Sequence, residues 1–186
     1  MSAEGDPNVP PGWKTNPTAR TKRHRLACLA SVGFVVSTYL TLYQLDVLGD
    51  VWDPLFGRGS RQVLTLLSPV PDAALGVFAY SAEVLLSFVG ADDRWRSAPW
   101  AALAFGLLVT AGAVTSLVLI ALQAFVATAW CTLCLVSALI SLSLFAFGND
   151  EARAAWAHLR RVREAGGSLL AAMIGSPGRL GERRTA

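Results

Sequence analysis

Two cysteines three positions apart, Cys131 and Cys134, are the residues of this sequence best suited to chemistry. On a helix this spacing puts both sulfurs on one face. A thiol near a helix N-terminus feels the positive end of the dipole, which favours the thiolate and makes it nucleophilic. Such a thiol with a second one beside it is the arrangement for thiol–disulfide exchange. The bland alternative is that small apolar cysteines fill helix–helix contacts. The side of the membrane on which the pair lies bears on that choice.

The third cysteine, Cys28, is a lone one and reads as packing. It opens the first apolar run, roughly a membrane thickness from the pair, whereas disulfide partners need Cα atoms within about 7 Å. Only Cys131 and Cys134 are therefore expected to bridge. A structural zinc site needs two further soft ligands. The two histidines, His24 and His158, both fall on the opposite side, so no metal site is predicted.

The elements that must position the pair follow from where charge is absent. Apolar residues make up 53% of the chain, and their arrangement is what points to a membrane, because the charges keep to the ends and two loops. Residues 26–45 carry no charge. At about 1.5 Å per residue they span the roughly 30 Å hydrocarbon core. Residues 98–148 are also uncharged, and as one helix they would be more than twice the bilayer's depth. They must fold into two spans, with the turn near residues 123–128. Residues 73–90 form a shorter run with one acid, Glu83. Backbone groups cannot go unpaired in lipid, so these runs are helices. The prediction is an all-α membrane protein, a bundle of four transmembrane helices.

The first apolar run is too long for a signal h-region and follows a polar stretch rich in Pro and Gly, which predicts a span and no secretory leader. Residues 1–25 are expected to be a cytoplasmic N-terminal segment, disordered over 1–18. Residues 26–148 would form the membrane domain, and residues 149–186 a cytoplasmic tail. Within the tail, 151–174 read as a surface helix whose 156–163 stretch turns its arginines toward lipid headgroups.

The net charge of +3 does not indicate nucleic-acid binding, because the basic residues sit beside spans. Arg20, Lys22, Arg23 and Arg25 precede the first, Arg94 and Arg96 lie between the second and third, and Arg153, Arg160, Arg161 and Arg163 follow the fourth. The remaining connection, 46–72, sets Asp46, Asp50, Asp53 and Asp72 against only Arg58 and Arg61. The positive-inside rule places both termini and loop 92–96 in the cytoplasm. Loop 46–72 and the turn before Cys131 then lie outside, where Trp130 and Phe125 suit an interfacial aromatic belt. A pair kept only for packing has no reason to lie on the oxidising face.

Three other positions invite a role. Glu83, in mid-membrane, either hydrogen-bonds a neighbouring helix in its neutral form or faces a water-filled or proton-handling cavity. Ser60 either donates to a ligand carbonyl or caps a short outer helix near Arg61. Tyr80 either reaches a ligand or packs in the core. Gly106 and Gly112, with Ala111 and Ala113, read as close helix packing.

Three segments carry a likeness to a known family. They are Gly59-Ser60-Arg61-Gln62-Val63-Leu64, Val70-Pro71-Asp72-Ala73-Ala74-Leu75-Gly76 followed by Tyr80, and Cys131-Thr132-Leu133-Cys134. Over about residues 26–147 the chain resembles the vitamin K epoxide reductase family. The resemblance implies a four-helix bundle with a large outer loop and a redox-active Cys-x-x-Cys at the outer end of the last helix. It implies a quinone, ubiquinone or menaquinone, as cofactor, with Cys134 exchanging electrons with it and Cys131 exchanging with a thiol. Ser60, Asp72 and Tyr80 would contact the quinone, and a thioredoxin-like protein would be the thiol partner. The setting implied is a bacterial inner membrane, with the active face outward and lipid around the bundle.

The chain also departs from the family's pattern. Gly59 stands where the second loop cysteine would be, and loop 46–72 has none. Asp72 stands for an asparagine that bonds a quinone oxygen, and Ala138 for a tyrosine that does so from the fourth helix. An ionised Asp72 would accept hydrogen bonds and not donate them. A divergent member is expected, one that takes electrons directly from a partner at Cys131 or no longer runs the full cycle. The alternative is a non-catalytic membrane scaffold or subunit that keeps the bundle and binds a partner protein or lipid.

Overall fold

The computed structural model describes residues 7–50, 52–56, 63 and 71–175. Its elements are α1 (Arg20–Gln44), α2 (Asp72–Phe88), α3 (Arg94–Ser97), α4 (Pro99–Leu122), a π-helical turn (Gln123–Ala127), α5 (Thr132–Glu164) and α6 (Leu169–Met173). No strand occurs among the described residues. Three stretches are long and apolar enough to cross a membrane: Arg20–Gln44, Pro99–Ala127 and Thr132–Glu164. They correspond to the first, third and fourth predicted runs. The second run is α2, whose 17 residues cover only about 25 Å of a roughly 30 Å core.

The uncharged stretch 98–148 breaks where its length requires. The π-helical turn closes α4, and Thr128 at φ 49° reverses the chain.

Small residues set the helix pairs. Gly33 on α1 lies against the ring of Tyr80, and a Cβ at Gly76 on α2 would stand 2.6 Å from Ser37 Oγ. On the other pair a Cβ at Gly106 would collide with Ala152, and one at Gly148 would stand 2.8 Å from Phe105. Close backbone approach of this kind is what holds helices together in lipid, where apolar burial alone drives little. Pairing 33 with 80 and 37 with 76 makes α1/α2 antiparallel, and pairing 106 with 152 and 112 with 141 does the same for α4/α5. Ala30, Tyr80, Phe105, Val109 and Leu144 then meet in one core.

The end of the bundle away from the cysteines is closed by buried ions. The last carbonyls of a helix have no partner of their own. At the end of α2, Arg23 donates to Val89 O at 2.8 Å and Gly90 O at 3.0 Å. Arg94, fully buried, donates to Leu86 O and to Val89 O. Its guanidinium also forms a fork with the Glu151 carboxylate, Nε to Oε1 at 3.0 Å and Nη2 to Oε2.

Two expectations are corrected here. Residues 7–18 are docked, not disordered. Trp95 Nε1 donates to Asn8 O at 2.8 Å, Asn16 Nδ2 donates to Asp92 O at 2.7 Å, and Thr18 is fully buried. The polar segment persists because its amides and hydroxyls satisfy backbone groups of the 89–96 connection. Residues 151–164 are no separate surface helix either. They continue α5 without a break, and Glu151, Ala154, Ala155 and Leu159 are buried. Trp156 remains exposed, and His158 sits edge-on to Trp95.

Candidate functional site

Cys131 and Cys134 form a disulfide with Cα atoms 5.3 Å apart. Cys131 is the N-cap of α5 in extended conformation, one residue before the helix and not in its first turn. Its sulfur accepts the Cys134 N–H at 3.2 Å, so the cysteine occupies the capping position usually filled by an oxygen. Cys131 is 0% exposed, while Cys134 is partly exposed. Cys28 is a free, exposed cysteine on α1, far along the bundle from the pair.

Two residues that sequence reasoning did not single out for the site hold this end. Gln123, in the π-helical turn, is buried and accepts the Cys131 N–H through Oε1 at 3.1 Å. It was detectable as a polar residue inside an otherwise apolar run. Asp53, from the outer loop, accepts Thr132 N–H at 2.7 Å and the Thr132 hydroxyl at 2.5 Å. The same carboxylate accepts Leu55 N–H and Phe56 N–H. An acid suits a helix N-terminus because it partners the positive dipole end and its free N–H groups. The Trp52 N–H adds a bond to the Tyr39 hydroxyl at 2.9 Å. Residues 52–56 of the 46–72 connection are thus folded against the cysteine end of α5.

Beneath the disulfide lies a cavity of ≈ 220 Å³ walled by α1, α2, α4 and α5. Cys134, Gln123 and Asp72 line its upper part, and Leu40, Leu75, Leu108 and Leu119 supply apolar walls. Tyr80, Ser137, Ser141 and Glu83 line it further down the helices. Asp72, the first residue of α2, accepts from Gln44 Nε2, while Gln44 Oε1 accepts the Ala73 N–H at 3.1 Å. The Tyr80 hydroxyl donates to Ser137 O at 2.8 Å and meets Ser141 Oγ at 2.8 Å. Tyr80 therefore belongs both to the core and to the cavity wall. Ala138 also lines the cavity, its small side chain leaving that stretch of wall open. Ser60 lies outside the described residues.

Glu83 is 2% exposed and faces this cavity, and its Oε2 has no hydrogen-bond partner. The glycines divide. Gly106 does pack against a neighbouring helix, but Gly112 opens onto the cavity, with Ser141 Oγ 3.7 Å and Glu83 Oε1 3.9 Å from where its Cβ would be. Ala111 lines the cavity too, so the reading of this stretch as pure packing is corrected. Among the described residues no three His, Cys, Asp or Glu side chains converge to hold a metal ion.

Long apolar helices with a disulfide above a partly open, mostly apolar cavity define an integral membrane protein arranged for thiol–disulfide chemistry. The sequence model of the vitamin K epoxide reductase family matches residues 25–148, and the chain belongs to that family. Membership suggests a membrane thiol oxidoreductase, and members of the family use a quinone as electron partner. No curated protein sequence matches the chain, so the family is the finest grouping that comparison supports.

Proposed function

We propose that this protein is a quinone-linked membrane thiol–disulfide oxidoreductase that works through Cys131 and Cys134. The observation that carries this is Cys134, which lines the cavity while bonded to Cys131. Oxidation of the dithiol releases two electrons and two protons, the amount that converts a quinone to its quinol. The residues present fit such a molecule. Pockets for whole drug-sized ligands run to about 300–1,000 Å³, so ≈ 220 Å³ suits a ring head whose tail lies among lipid chains. Asp72 and Tyr80 stand on the wall to orient the ring, and Ser60 is assigned the same role from the family pattern. Ubiquinone and menaquinone both satisfy these requirements.

Cys134 is the sulfur that meets the ring, and Cys131 is the one that exchanges with a thioredoxin-like thiol protein. Cys131 is fully buried and the next residue, Thr132, is held by Asp53, so that exchange requires this end of α5 to open, with release of the Asp53–Thr132 contact the motion we propose. In this reading α2 is the fourth crossing, both termini are cytoplasmic, and the cysteine end faces outward from a bacterial inner membrane. The arginine distribution supports that orientation. The missing loop cysteines favour a second reading, a non-catalytic scaffold binding a partner protein or lipid.

Mass-tag alkylation of the protein in lipid, with and without added quinone, separates the two. For a two-electron couple about 30 mV is a tenfold change in equilibrium, so quinone should convert the pair from dithiol to disulfide over a narrow range. Cys134→Ser should abolish the response, and Cys28→Ser should leave it intact. A tag pattern indifferent to quinone under both reducing and oxidising conditions removes the oxidoreductase reading and leaves the scaffold.

A further inference from the structure

Several of the polar groups around the cavity are committed. Asp72 accepts from Gln44, Gln123 Oε1 is taken by the Cys131 N–H, and the Tyr80 hydroxyl is spent on Ser137 and Ser141. Glu83 is not. It is 98% buried by its 2% exposure, it faces the cavity, and its Oε2 has no partner. The other buried side-chain atom without a partner among the described residues, Arg23 Nε, belongs to the guanidinium bonded to Val89 O and Gly90 O past the C-terminal end of α2, and lies outside the cavity wall. A buried polar atom left without a hydrogen bond is costly, so a native structure that keeps one usually has a use for it. Gly112 preserves the space beside it. A methyl there would sit in ordinary contact with Ser141 and Glu83, so glycine is not demanded by a clash between helices.

Position along the bundle says what the group could reach. Ser141, beside which Glu83 lies, is seven residues below Cys134 on α5, about 10 Å along the axis at 1.5 Å per residue. A carbonyl-bearing ring placed against Cys134 extends in that direction through an apolar space. A neutral carboxyl carries an O–H donor, and a carbonyl oxygen carries only acceptors.

From the free Oε2, the open cavity and the spare room at Gly112, we infer that Glu83 is the hydrogen-bond donor that holds the quinone carbonyl remote from the cysteines. This rests on the quinone-linked reading above and adds a recognition residue to it. It also bears on Asp72, which accepts from Gln44, and on Ala138, whose side chain carries no polar group: the donor stands about three helix turns further along α2. Glu83 is on this view a positioning and specificity residue for the carbonyl end of the ring.

The test uses the full-length protein in lipid nanodiscs with a radiolabelled short-chain ubiquinone, comparing wild type, Glu83→Gln and Glu83→Leu. Binding is measured by equilibrium dialysis with the cysteines held as the disulfide, so the readout does not depend on turnover. The amide keeps an N–H donor, so Glu83→Gln should bind within about threefold of wild type. Glu83→Leu should bind at least tenfold more weakly, the loss of one buried hydrogen bond. Gly112→Ala, which narrows the same place without a clash, should weaken binding severalfold and keeps the inference testable if the leucine variant fails to fold. Equal binding by Glu83→Leu and wild type overturns the inference, as does Glu83→Gln binding as weakly as Glu83→Leu, or Gly112→Ala binding unchanged. Each of those results leaves the quinone-linked reading standing. Wild type that neither binds quinone nor responds to it in the mass-tag assay overturns both.

Discussion

Replacing Arg94 by methionine tests how the end of the bundle away from the cysteines is held. The Arg94 and Glu151 side chains are 1% and 3% exposed, so the pair is dry. Breaking a buried ion pair by removing one partner costs about 3–5 kcal/mol, because the other charge is left uncompensated. Arg94 also serves the Leu86 and Val89 carbonyls at the end of α2, and losing those bonds adds about 1–2 kcal/mol at roughly 1 kcal/mol each. Arg94→Met should therefore destabilise by about 4–7 kcal/mol, and Glu151→Leu by about 3–5 kcal/mol. The double variant leaves no stranded charge, and only the carbonyl loss should persist, about 1–2 kcal/mol. The three proteins are compared by equilibrium unfolding in mixed micelles, where every 1.4 kcal/mol is about tenfold in the folded-to-unfolded ratio. The double variant should be more stable than either single one. If its destabilisation equals the sum of the two singles, the residues do not interact and the buried clamp is wrong.

Four further outcomes follow from the same geometry. Gln123→Leu strands the buried Cys131 N–H and should cost about 1–3 kcal/mol in the same unfolding assay; no loss would mean that the N–H finds another acceptor. Asp53→Ala removes the cap on Thr132, should cost about 0.5–2 kcal/mol, and should quicken reduction of the Cys131–Cys134 disulfide by an external dithiol, as followed by alkylation; an unchanged rate would show that the loop does not guard Cys131. Asp72→Asn keeps an acceptor for Gln44 and gains a donor toward the cavity, so quinone affinity should hold or rise in the dialysis assay; lost binding would assign the carboxylate another task. An impermeant maleimide added to intact cells after reduction should label the Cys131/Cys134 pair and spare Cys28, and labelling of Cys28 alone would invert the topology.

The helical character of the apolar runs and the place where the longest one turns back were legible in the residues alone. Uncharged runs had to be helices, the 98–148 run had to turn back near 123–128, and an i,i+3 spacing had to bring Cys131 and Cys134 within bonding reach of each other. These follow from one-dimensional constraints: a fixed rise per residue, a fixed core thickness, and backbone polarity that lipid will not accept. What each side chain faces does not follow from them, because rotation about the helix axis and the closeness of helix pairs are set only when surfaces meet. So Gly106 and Gly112, six residues apart on α4 and alike in sequence, part company, one pressed against Ala152 and the other open to the cavity. Glu83 was ambiguous until α2 packed on α1 and turned its carboxyl into the cavity with Oε2 unpartnered. Asp53, Gln44 and the 7–18 segment found partners 79, 28 and 74 or more residues away, and no local pattern marks such a contact. Tertiary structure decided these because hydrogen-bond geometry allows a partner only within about 3 Å, and only the assembled bundle brings such distant residues that close.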